Sequence, residues 1–527
     1  MQLPEIVVKN SCIKLYNYRF GSCPRVENSF AVFDKITHSY YYLGIHYDEQ
    51  NQILYLPRGI DIWFLEKTLG VKAKIEKDAF EPFDIYNDIK IKFLPRDDLQ
   101  KEALRFMLGK KEYKATATKS QLQVNLNTGK GKTYISVATF AYTGIKTMII
   151  TYATNWLVQW KEKILEYTNL HEKEICFITS SNMIFRLMGM KDQQIRKYKI
   201  FLVTHATIKS FGDKNGWDKV TDLFKKLKIG IKIFDEAHMN FSNMLMIDFY
   251  TNVYKTFYLT ATAMRSDHRE NQIYQTSMKN VLAIELFDQE HDPHSDYWAL
   301  LYNSKPKPQE ISFCKNQYGL DRNKYINYAI QNEKFKEMAV VALDMILNIL
   351  NKGSCKDKCL IYIGTNYAIE EFVYWIVQIF PEMIGQIGIF TSIVSAEEKE
   401  IAKTKRFIIT TTKSASACLD IANLKVVLLL NEPFASEVLA RQTLGRLRND
   451  NTIYIEVVDT GFIHCKNYYL RKKPIFAKYA KDCQQTRISD SELDARYSNI
   501  IEKINKRSIP VMFYDEVHTP IWFLETK

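Results

Sequence analysis

The feature that most constrains the fold is Val124-Asn-Leu-Asn-Thr-Gly-Lys-Gly-Lys-Thr133, where a short apolar run passes into a glycine-containing loop. This order predicts a strand, a tight loop and a helix that begins near Lys132. Gly129 and Gly131 allow backbone N–H groups to turn inward on an anion. Lys132 can then reach the β- and γ-phosphates of a nucleotide, and Thr133 can offer its hydroxyl to Mg²⁺. We therefore predict a phosphate-binding loop rather than a glycine turn without a chemical role.

The chain is long enough for about three domains, and its charge favours a polyanionic partner. It has 527 residues, of which 46% are hydrophobic and 25% are charged. The formal net charge of +12 favours nucleic acid, although an ordinary solvated surface would also carry it. No apolar run approaches about 20 residues and no signal peptide opens the sequence, so we expect no membrane segment and a cytoplasmic location.

The cysteines and the general residue usage add two further expectations. Nine thinly scattered cysteines are typical of a reducing compartment. Cys355 and Cys359 have no second pair of Cys or His at ligand spacing, so we assign no metal site to them. The abundance of Lys, Ile, Asn and Tyr indicates an AT-rich genome, and for a viral or phage source the location is the host cytoplasm.

From residue 94 onwards, apolar runs alternate with helical segments, a pattern typical of β-α units around parallel sheets. Before residue 94, short strands predict a small mixed α+β domain, whose tyrosines and arginines are candidates for nucleic-acid contacts or for core packing. We therefore predict the α/β class, with two tandem P-loop-type domains after the small one. The predicted segments are an N-terminal accessory domain (1–93), a first α/β domain (94–286), a linker (287–309), a second α/β domain (310–460) and a basic helical tail (461–527).

The strands expected to build the two sheets are all short apolar runs. In the first α/β domain they are Leu122–Leu126, Thr147–Thr151, Ile200–Val203, Ile229–Phe234 and Phe257–Leu259. In the second they are Cys359–Ile363, Gln386–Phe390, Arg406–Thr410, Lys425–Leu430 and Ile453–Val458.

About a hundred residues after the loop, the apolar run Ile231–Phe234 delivers Asp235-Glu-Ala-His238. Open α/β sheets place their ligands at the carboxyl ends of their strands. Asp235 can hold Mg²⁺ through water, while Glu236 can orient and deprotonate an attacking water. Alone, such a pair also suits a helix N-terminus, which favours negative charge, but its position downstream of the phosphate loop indicates a nucleotide site.

In order along the chain, these motifs resemble those of superfamily 2 helicases and translocases, in particular the DEAH-containing DNA-remodelling branch found in phages and repair systems. The resemblance rests on Gly129–Thr133, Asp235–His238, Thr260-Ala-Thr262 and Gln442-Thr-Leu-Gly-Arg446, and it spans about residues 94–460. It implies two tandem RecA-like domains, of which the first holds the phosphates and Mg²⁺ of ATP and the second supplies cations across a cleft.

The resemblance assigns residues to a nucleotide site. The catalytic set that it implies is Lys132, Asp235, Glu236, Gln442, Arg446 and Arg448. The nucleotide-binding set is Arg96, Gln100, Asn127, Thr128, Gly129, Lys130, Gly131, Lys132, Thr133 and Asp420. Thr133 and Asp235 would hold the metal, Gln100 would bind the adenine edge, and Arg446 would neutralise charge on the γ-phosphate.

The resemblance also assigns residues to coupling and to nucleic-acid binding. His238, Thr260 and Thr262 would relay the state of the γ-phosphate to the second domain. The nucleic-acid contacts that it implies are Thr151, Gln159, Trp160, Thr204, Thr365 and Thr411.

The sequence departs from the family pattern at two places that leave alternatives open. Cys418 stands where the coupling motif normally has glycine, and Asn449 stands where a second arginine is usual, so that Arg448 is one position early. We expect an ATP-driven motor that translocates on DNA and unwinds or remodels duplex or branched DNA, in replication, recombination or repair. The alternatives are an RNA helicase or remodeller, a nucleic-acid-binding subunit with a vestigial ATP site, and a small-molecule P-loop kinase.

Overall fold

The computed structural model describes residues 3–34, 37–76, 80, 82–126, 130–237, 239–260, 268–286, 295–317, 319–416, 419, 421–447 and 449–506. The chain divides into two compact units, Met1–Asp288 and Gln289–Lys527. Within the described ranges, no helix combines the length and the apolar character that a bilayer crossing requires.

The first unit begins with an N-terminal module, residues 3–76, of seven strands and two helices. Five of the strands form one mixed sheet in the order β5-β6-β2-β1-β7, and β3 pairs with β4 in a separate two-stranded ribbon. The strands are β1 (Glu5–Val8), β2 (Cys12–Tyr16), β3 (Ala31–Asp34), β4 (Ser39–Tyr42), β5 (His46–Asp48), β6 (Ile53–Pro57) and β7 (Ala73–Ile75). The helices are α1 (Pro24–Glu27) and α2 (Ile62–Leu69).

The rest of the first unit, which we call the first lobe, is a seven-stranded parallel sheet with helices packed against it. The sheet order is β10-β11-β9-β12-β13-β8-β14. The strands are β8 (Gln121–Leu126), β9 (Thr147–Thr151), β10 (Ile175–Ile178), β11 (Ile200–Thr204), β12 (Ile231–Phe234), β13 (Lys255–Thr260) and β14 (Leu282–Leu286). The helices are α3 (Asp98–Leu108), α4 (Lys114–Ala117), α5 (Lys132–Thr143), α6 (Thr154–Tyr167), α7 (Ser181–Gly189), α8 (Asp192–Ile195), α9 (His205–Asn215), α10 (Trp217–Leu227), α11 (Phe241–Tyr250) and α12 (His268–Met278).

The N-terminal module and the first lobe share one hydrophobic core. Ile13 and Leu54 of the module belong to the same buried cluster as Ile150, Phe234 and Leu245 of the lobe. Hydrogen bonds join the two parts as well, because the Asn10 side chain donates to the Val253 carbonyl at 3.2 Å. The segment that we expected to be a separate domain therefore packs as part of the first unit.

The second unit, which we call the second lobe, contains another seven-stranded parallel sheet, in the order β19-β20-β18-β21-β22-β15-β23. The strands of this sheet are β15 (Ser295–Tyr302), β18 (Lys358–Ile363), β19 (Ile387–Phe390), β20 (Phe407–Thr410), β21 (Leu424–Asn431), β22 (Thr452–Asp459) and β23 (Cys483–Arg487). Two further strands of the lobe, β16 (Lys315–Asn316) and β17 (Gly319–Leu320), pair with each other in a separate ribbon. The helices of the lobe are α13 (Pro308–Phe313), α14 (Arg322–Ala329), α15 (Glu333–Lys352), α16 (Asn366–Ile379), α17 (Ala396–Thr404), α18 (Thr412–Ser416), α19 (Glu437–Leu444), α20 (Ile463–Tyr479) and α21 (Asp490–Lys506).

Two tandem RecA-like domains preceded by a mixed α+β module confirm the predicted fold class. Two segment predictions need correction. Residues 295–302 were expected in a linker, but they form β15, which lies between β22 and β23 in the second sheet. The expected helical tail also contains β23, which pairs with β15 at the edge of that sheet, while its last residues, 507–527, lie outside the described ranges.

Candidate functional site

The candidate residues of the first lobe gather at one edge of its sheet. Strands β8, β9, β11, β12 and β13 run parallel, so their carboxyl ends meet at the same edge. The phosphate loop leaves that edge after Leu126, and the acidic pair follows Phe234. Parallel α/β sheets bind ligands at this edge because the connecting loops and helix N-termini converge there.

The described end of the phosphate loop is closed by the side chain of Gln100. Gly131 precedes α5 with a φ of 95°, in the left-handed region that favours glycine. A Cβ atom at Gly131 would lie only 2.2 Å from Nε2 of Gln100. The Gln100 amide donates to the Lys130 carbonyl at 3.1 Å and accepts from the Arg96 N–H at 2.9 Å. The loop can therefore pass this close to Gln100 only because residue 131 has no side chain.

Lys132, the first residue of α5, forms an ion pair with Glu236. Its Nζ lies 2.8 Å from Oε1 of Glu236, and both side chains are mostly buried. The cation that the sequence assigned to phosphate and the carboxylate assigned to water activation are thus direct neighbours. A polyphosphate that reached Lys132 would compete with Glu236 for the same ammonium group.

Asp235 is held by a hydrogen bond from Trp160. The indole Nε1 donates to Oδ2 of Asp235 at 2.8 Å. Burial and the neighbouring Glu236 carboxylate raise the pKa of Asp235 to about 6, while Lys132 and the indole bond act in the opposite direction. A bound divalent cation would stabilise the ionised form of this carboxylate and so oppose the rise in its pKa.

Glu236 has an unusual backbone conformation, with a φ of 49° in the left-handed region. Neighbouring strands fix this turn, because the Asp235 N–H donates to Ile150 at 3.0 Å and the Ala237 N–H donates to Leu259 at 2.8 Å. Non-glycine residues adopt this conformation rarely, and such strain concentrates at functional sites. The turn places the neighbouring carboxylates of Asp235 and Glu236 at the carboxyl end of β12.

The described residues fit a nucleotide with Mg²⁺. A glycine-dependent close approach at Gly131, a lysine at the start of a helix and a carboxylate after a neighbouring strand are the parts that such a site needs. Thr133 is the second residue of α5, and Thr260 ends β13, where it is fully buried.

The threonines predicted to contact nucleic acid lie where strands end and helices begin. Thr204 caps α9, since its hydroxyl accepts the Thr207 N–H at 3.1 Å, and Thr365 caps α16 by accepting the Ala368 N–H at 3.2 Å. Thr151 ends β9, and Thr411 accepts the Ser414 N–H at 3.1 Å. Thr151 is fully buried and Thr204 is 5% exposed, so their side chains are not available to nucleic acid and these two assignments need correction. Thr365 and Thr411 are half-buried beside helix N-termini, which bind phosphate groups, and their contact with nucleic acid remains a prediction.

Trp160 requires a correction. The sequence assigned it to the nucleic-acid set together with Gln159, which is half-buried on the same helix. The structure instead leaves Trp160 only 3% exposed and bonded to Asp235. We therefore assign Trp160 to the residues around the nucleotide site rather than to the nucleic-acid contacts. Sequence spacing could not show this contact, since it joins residues 75 positions apart.

In the second lobe, Arg446 fastens two short helices together. Its guanidinium donates to the carbonyls of Leu419 at 2.9 Å and Ala415 at 2.6 Å, which connects the end of α19 to α18. Gln442 lies on α19 and is half-buried. Arg446 and Gln442 are thus parts of the same helix–turn segment.

Glu432 is a residue that the sequence did not single out. It follows β21, is buried, and accepts the Thr412 N–H at 2.8 Å and the Thr412 hydroxyl. Arg322 lies 3.3 Å from it, and burial raises the pKa of Glu432. An acidic residue directly after an apolar strand, the pattern that identified Asp235, could have indicated it.

Several predicted residues cannot be placed. Those that lie outside the described residues are Asn127, Thr128, Gly129, His238, Thr262, Asp420 and Arg448. Their assigned roles remain predictions.

Comparison with known proteins agrees with this geometry. Residues 93–265 match the family described as "Type III restriction enzyme, res subunit". This range covers the phosphate loop, the acidic pair and the sheet edge described above. Residues 93–265 are thus similar to a family of the superfamily 2 helicases. No curated protein sequence matches the chain significantly.

Solved structures similar to this chain have low sequence identity to it. Dbp5 of S. cerevisiae bound to RNA and ADP BeF3 has a TM-score of 0.50 and 14% identity, over 77% of this chain and 93% of that one. T4 UvsW has a TM-score of 0.35 and 14% identity, over 92% and 99%. A fragment of a putative HsdR subunit of a type I restriction enzyme from Vibrio vulnificus YJ016 has a TM-score of 0.47 and 12% identity, over 91% and 85%.

Proposed function

We propose that this chain is an ATP-dependent motor that translocates on DNA and unwinds or remodels duplex or branched DNA. The observation that carries the proposal is the contact of Lys132 with Glu236, 2.8 Å, beside a half-buried Asp235 at the carboxyl edge of a parallel sheet. Superfamily 2 membership supports nucleic-acid-dependent hydrolysis of ATP. The charge of +12 supports a polyanionic partner.

In the proposed reaction, Lys132 leaves Glu236 and binds the β- and γ-phosphates. Glu236 then accepts a proton from the water whose oxygen bonds to the γ-phosphorus, while the bond from that phosphorus to the bridging oxygen breaks and ADP leaves with the bond's electrons. Asp235 and Thr133 would hold Mg²⁺, which would neutralise phosphate charge. Lys132 is thereby both the counterion of Glu236 before binding and the phosphate ligand after it. We assign Arg446 to charge neutralisation on the γ-phosphate in the transition state, on the basis of the motif resemblance.

The test is to measure ATP turnover by the full chain with duplex DNA, branched DNA and RNA in parallel, each with a Lys132→Ala control. We expect the DNA forms to stimulate turnover more than RNA does. Lys132→Ala should abolish turnover and leave DNA binding largely intact, because we assign Lys132 to the nucleotide and not to the nucleic-acid contacts. DNA binding should weaken by about 0.9 log units per phosphate contact for each tenfold increase in salt.

Each of the rival functions predicts a different result in the same assay. Stimulation by RNA alone would identify an RNA remodeller. DNA binding without any stimulated turnover would identify a binding subunit with a vestigial ATP site. Unchanged turnover in Lys132→Ala would remove the site assignment itself.

A further inference from the structure

The ribbon formed by β3 and β4 stands apart from the five-stranded sheet of the N-terminal module. Its strands pair antiparallel, with Val32 opposite Tyr41 and Phe33 opposite Tyr40. An isolated two-stranded ribbon is marginally stable in water, so its position must be fixed by contacts outside the ladder.

Those contacts lie at the base of the ribbon and come both from the first lobe and from the rest of the N-terminal module. Arg269, the second residue of α12, donates to the carbonyls of Ala31 at 2.9 Å and Asn28 at 2.6 Å. Val32 is buried in the shared core, and the Tyr42 ring meets Phe20 edge to face at 4.9 Å. The ribbon is therefore anchored to the helix that follows the Thr260-Ala-Thr262 segment.

The remainder of the ribbon exposes aromatic rings. Tyr40 is 67% exposed, Phe33 is 46% exposed and Tyr41 is 43% exposed. Phe33 and Tyr40 project from the same face, with their ring centroids 5.2 Å apart. Clustered exposed aromatic rings on an anchored element are uncommon on a soluble surface and mark a binding site.

The charge around the ribbon indicates which partner it fits. Arg19 and Arg25 are exposed. Arg19 directly precedes Phe20 in the sequence, whose ring contacts Tyr42 of the ribbon, and Arg25 lies in α1, the helix before the ribbon. Aromatic rings beside guanidinium groups are the combination that binds single-stranded nucleic acid, because bases stack on the rings while cations meet the phosphates.

We infer that this aromatic ribbon, with Phe33 and Tyr40 at its centre, stacks on unpaired bases of the strand that the motor engages. The inference rests on the proposed function and extends it with a base-binding element outside the two sheets. Because Arg269 joins the ribbon to the first lobe, bases stacked on the ribbon would move together with that lobe.

The test is to compare binding of two oligonucleotides of about 20 nucleotides, oligo(dT) and its abasic equivalent, by fluorescence anisotropy. The full-length double variant Phe33→Ala/Tyr40→Ala should weaken oligo(dT) binding by at least about fivefold, the low end for one stacked base, and leave abasic binding unchanged. Tyr40→Phe, which keeps the ring, should bind oligo(dT) as the unmodified chain does. Parallel measurements with oligo(rU) compare RNA with DNA. Tyr142→Ala is the matched control, since Tyr142 is 51% exposed on the last turn of α5.

The outcomes separate this inference from the proposed function. Equal loss on both oligonucleotides, or no loss on oligo(dT), would overturn the ribbon assignment even if nucleic acid still stimulates ATP turnover. Selective loss on oligo(dT) supports the ribbon assignment even if stimulated turnover is absent. Failure of the unmodified chain to bind any of these single strands would overturn the ribbon assignment, while the motor would still be tested by turnover with duplex and branched DNA. Unchanged circular dichroism and melting temperature in the double variant establish that it is folded.

Discussion

Replacement of Trp160 by Phe should damage the nucleotide site without disturbing the core. The substitution keeps a buried aromatic ring and removes only the indole N–H that donates to Asp235 at 2.8 Å. A hydrogen bond to a charged group is worth about 1.5–3 kcal/mol, so kcat/KM for Mg²⁺–ATP should fall by about 10- to 150-fold if the bond acts in the transition state.

The same substitution should shift the pH profile. The indole bond holds the pKa of Asp235 down, against the burial that raises it to about 6. A carboxylate that binds metal supports activity above its pKa and loses this ability as the pH falls through it. Without the bond, the acid limb of kcat/KM should move to higher pH, and more Mg²⁺ should be needed for half-maximal turnover.

Trp156→Phe is the matched control for this experiment. Trp156 lies on the same helix, is 2% exposed, and its indole Nε1 has no hydrogen-bond acceptor among the described residues. Steady-state kinetics and a Mg²⁺ titration at several pH values would compare the two variants. Equal kinetics and equal acid limbs in the two variants would refute a role for the Trp160–Asp235 bond.

Two further predictions concern the second lobe and the stability of the first unit. Arg446→Ala should keep the Kd for ATP and lower kcat by at least about 100-fold, which ATP turnover measured at saturating ATP would show. An unchanged kcat would contradict the assignment of Arg446 to the γ-phosphate. Lys232→Met should lower the free energy of unfolding, measured in urea, by about 3–5 kcal/mol, because it leaves the buried Asp248, 2.5 Å from Lys232, without its counterion. As the control, Lys163→Met breaks an exposed ion pair with Glu166 and should lower the free energy of unfolding by less than about 1 kcal/mol. Equal losses in the two variants would contradict a stabilising role for the buried Lys232–Asp248 pair.

The parallel strands could be predicted because the local signal and the final burial agree. Thr147–Thr151 is apolar, is flanked by helical segments and becomes a central strand buried on both faces. The glycine loop after β8 likewise defines its carboxyl end, although the polar residues Gln123 and Asn125 of this strand are also buried. Such elements carry their structure in a few consecutive residues.

Sequence analysis missed β10 and β14 of the first lobe and β15 and β23 of the second, and the last two depend on distant partners. Residues 295–302 follow a stretch with proline, histidine and acidic residues, and their strand exists because β22 and β23 pair on its two sides. β23 is Cys-Gln-Gln-Thr-Arg, exposed throughout, so an edge strand of this kind has no apolar pattern.

The candidate site was predictable in its parts but not in its contacts. Motif order placed Lys132, Asp235 and Glu236 in one site, because each follows a strand or opens a helix at the same sheet edge. The bonds of Gln100 to the loop and of Trp160 to Asp235 join helices to distant segments. Such contacts follow from tertiary packing, which local sequence does not specify.

The most direct test of the central claim is single-turnover hydrolysis of ATP by Glu236→Gln in the presence of saturating DNA, with nucleotide binding measured separately. The substitution keeps the size of the side chain and removes its ability to accept a proton. The proposed site predicts that the Kd for ATP is retained, because Lys132 is released from its counterion, while the hydrolysis rate falls by at least about 100-fold. Hydrolysis at the unmodified rate would contradict the assignment of Glu236 as the base.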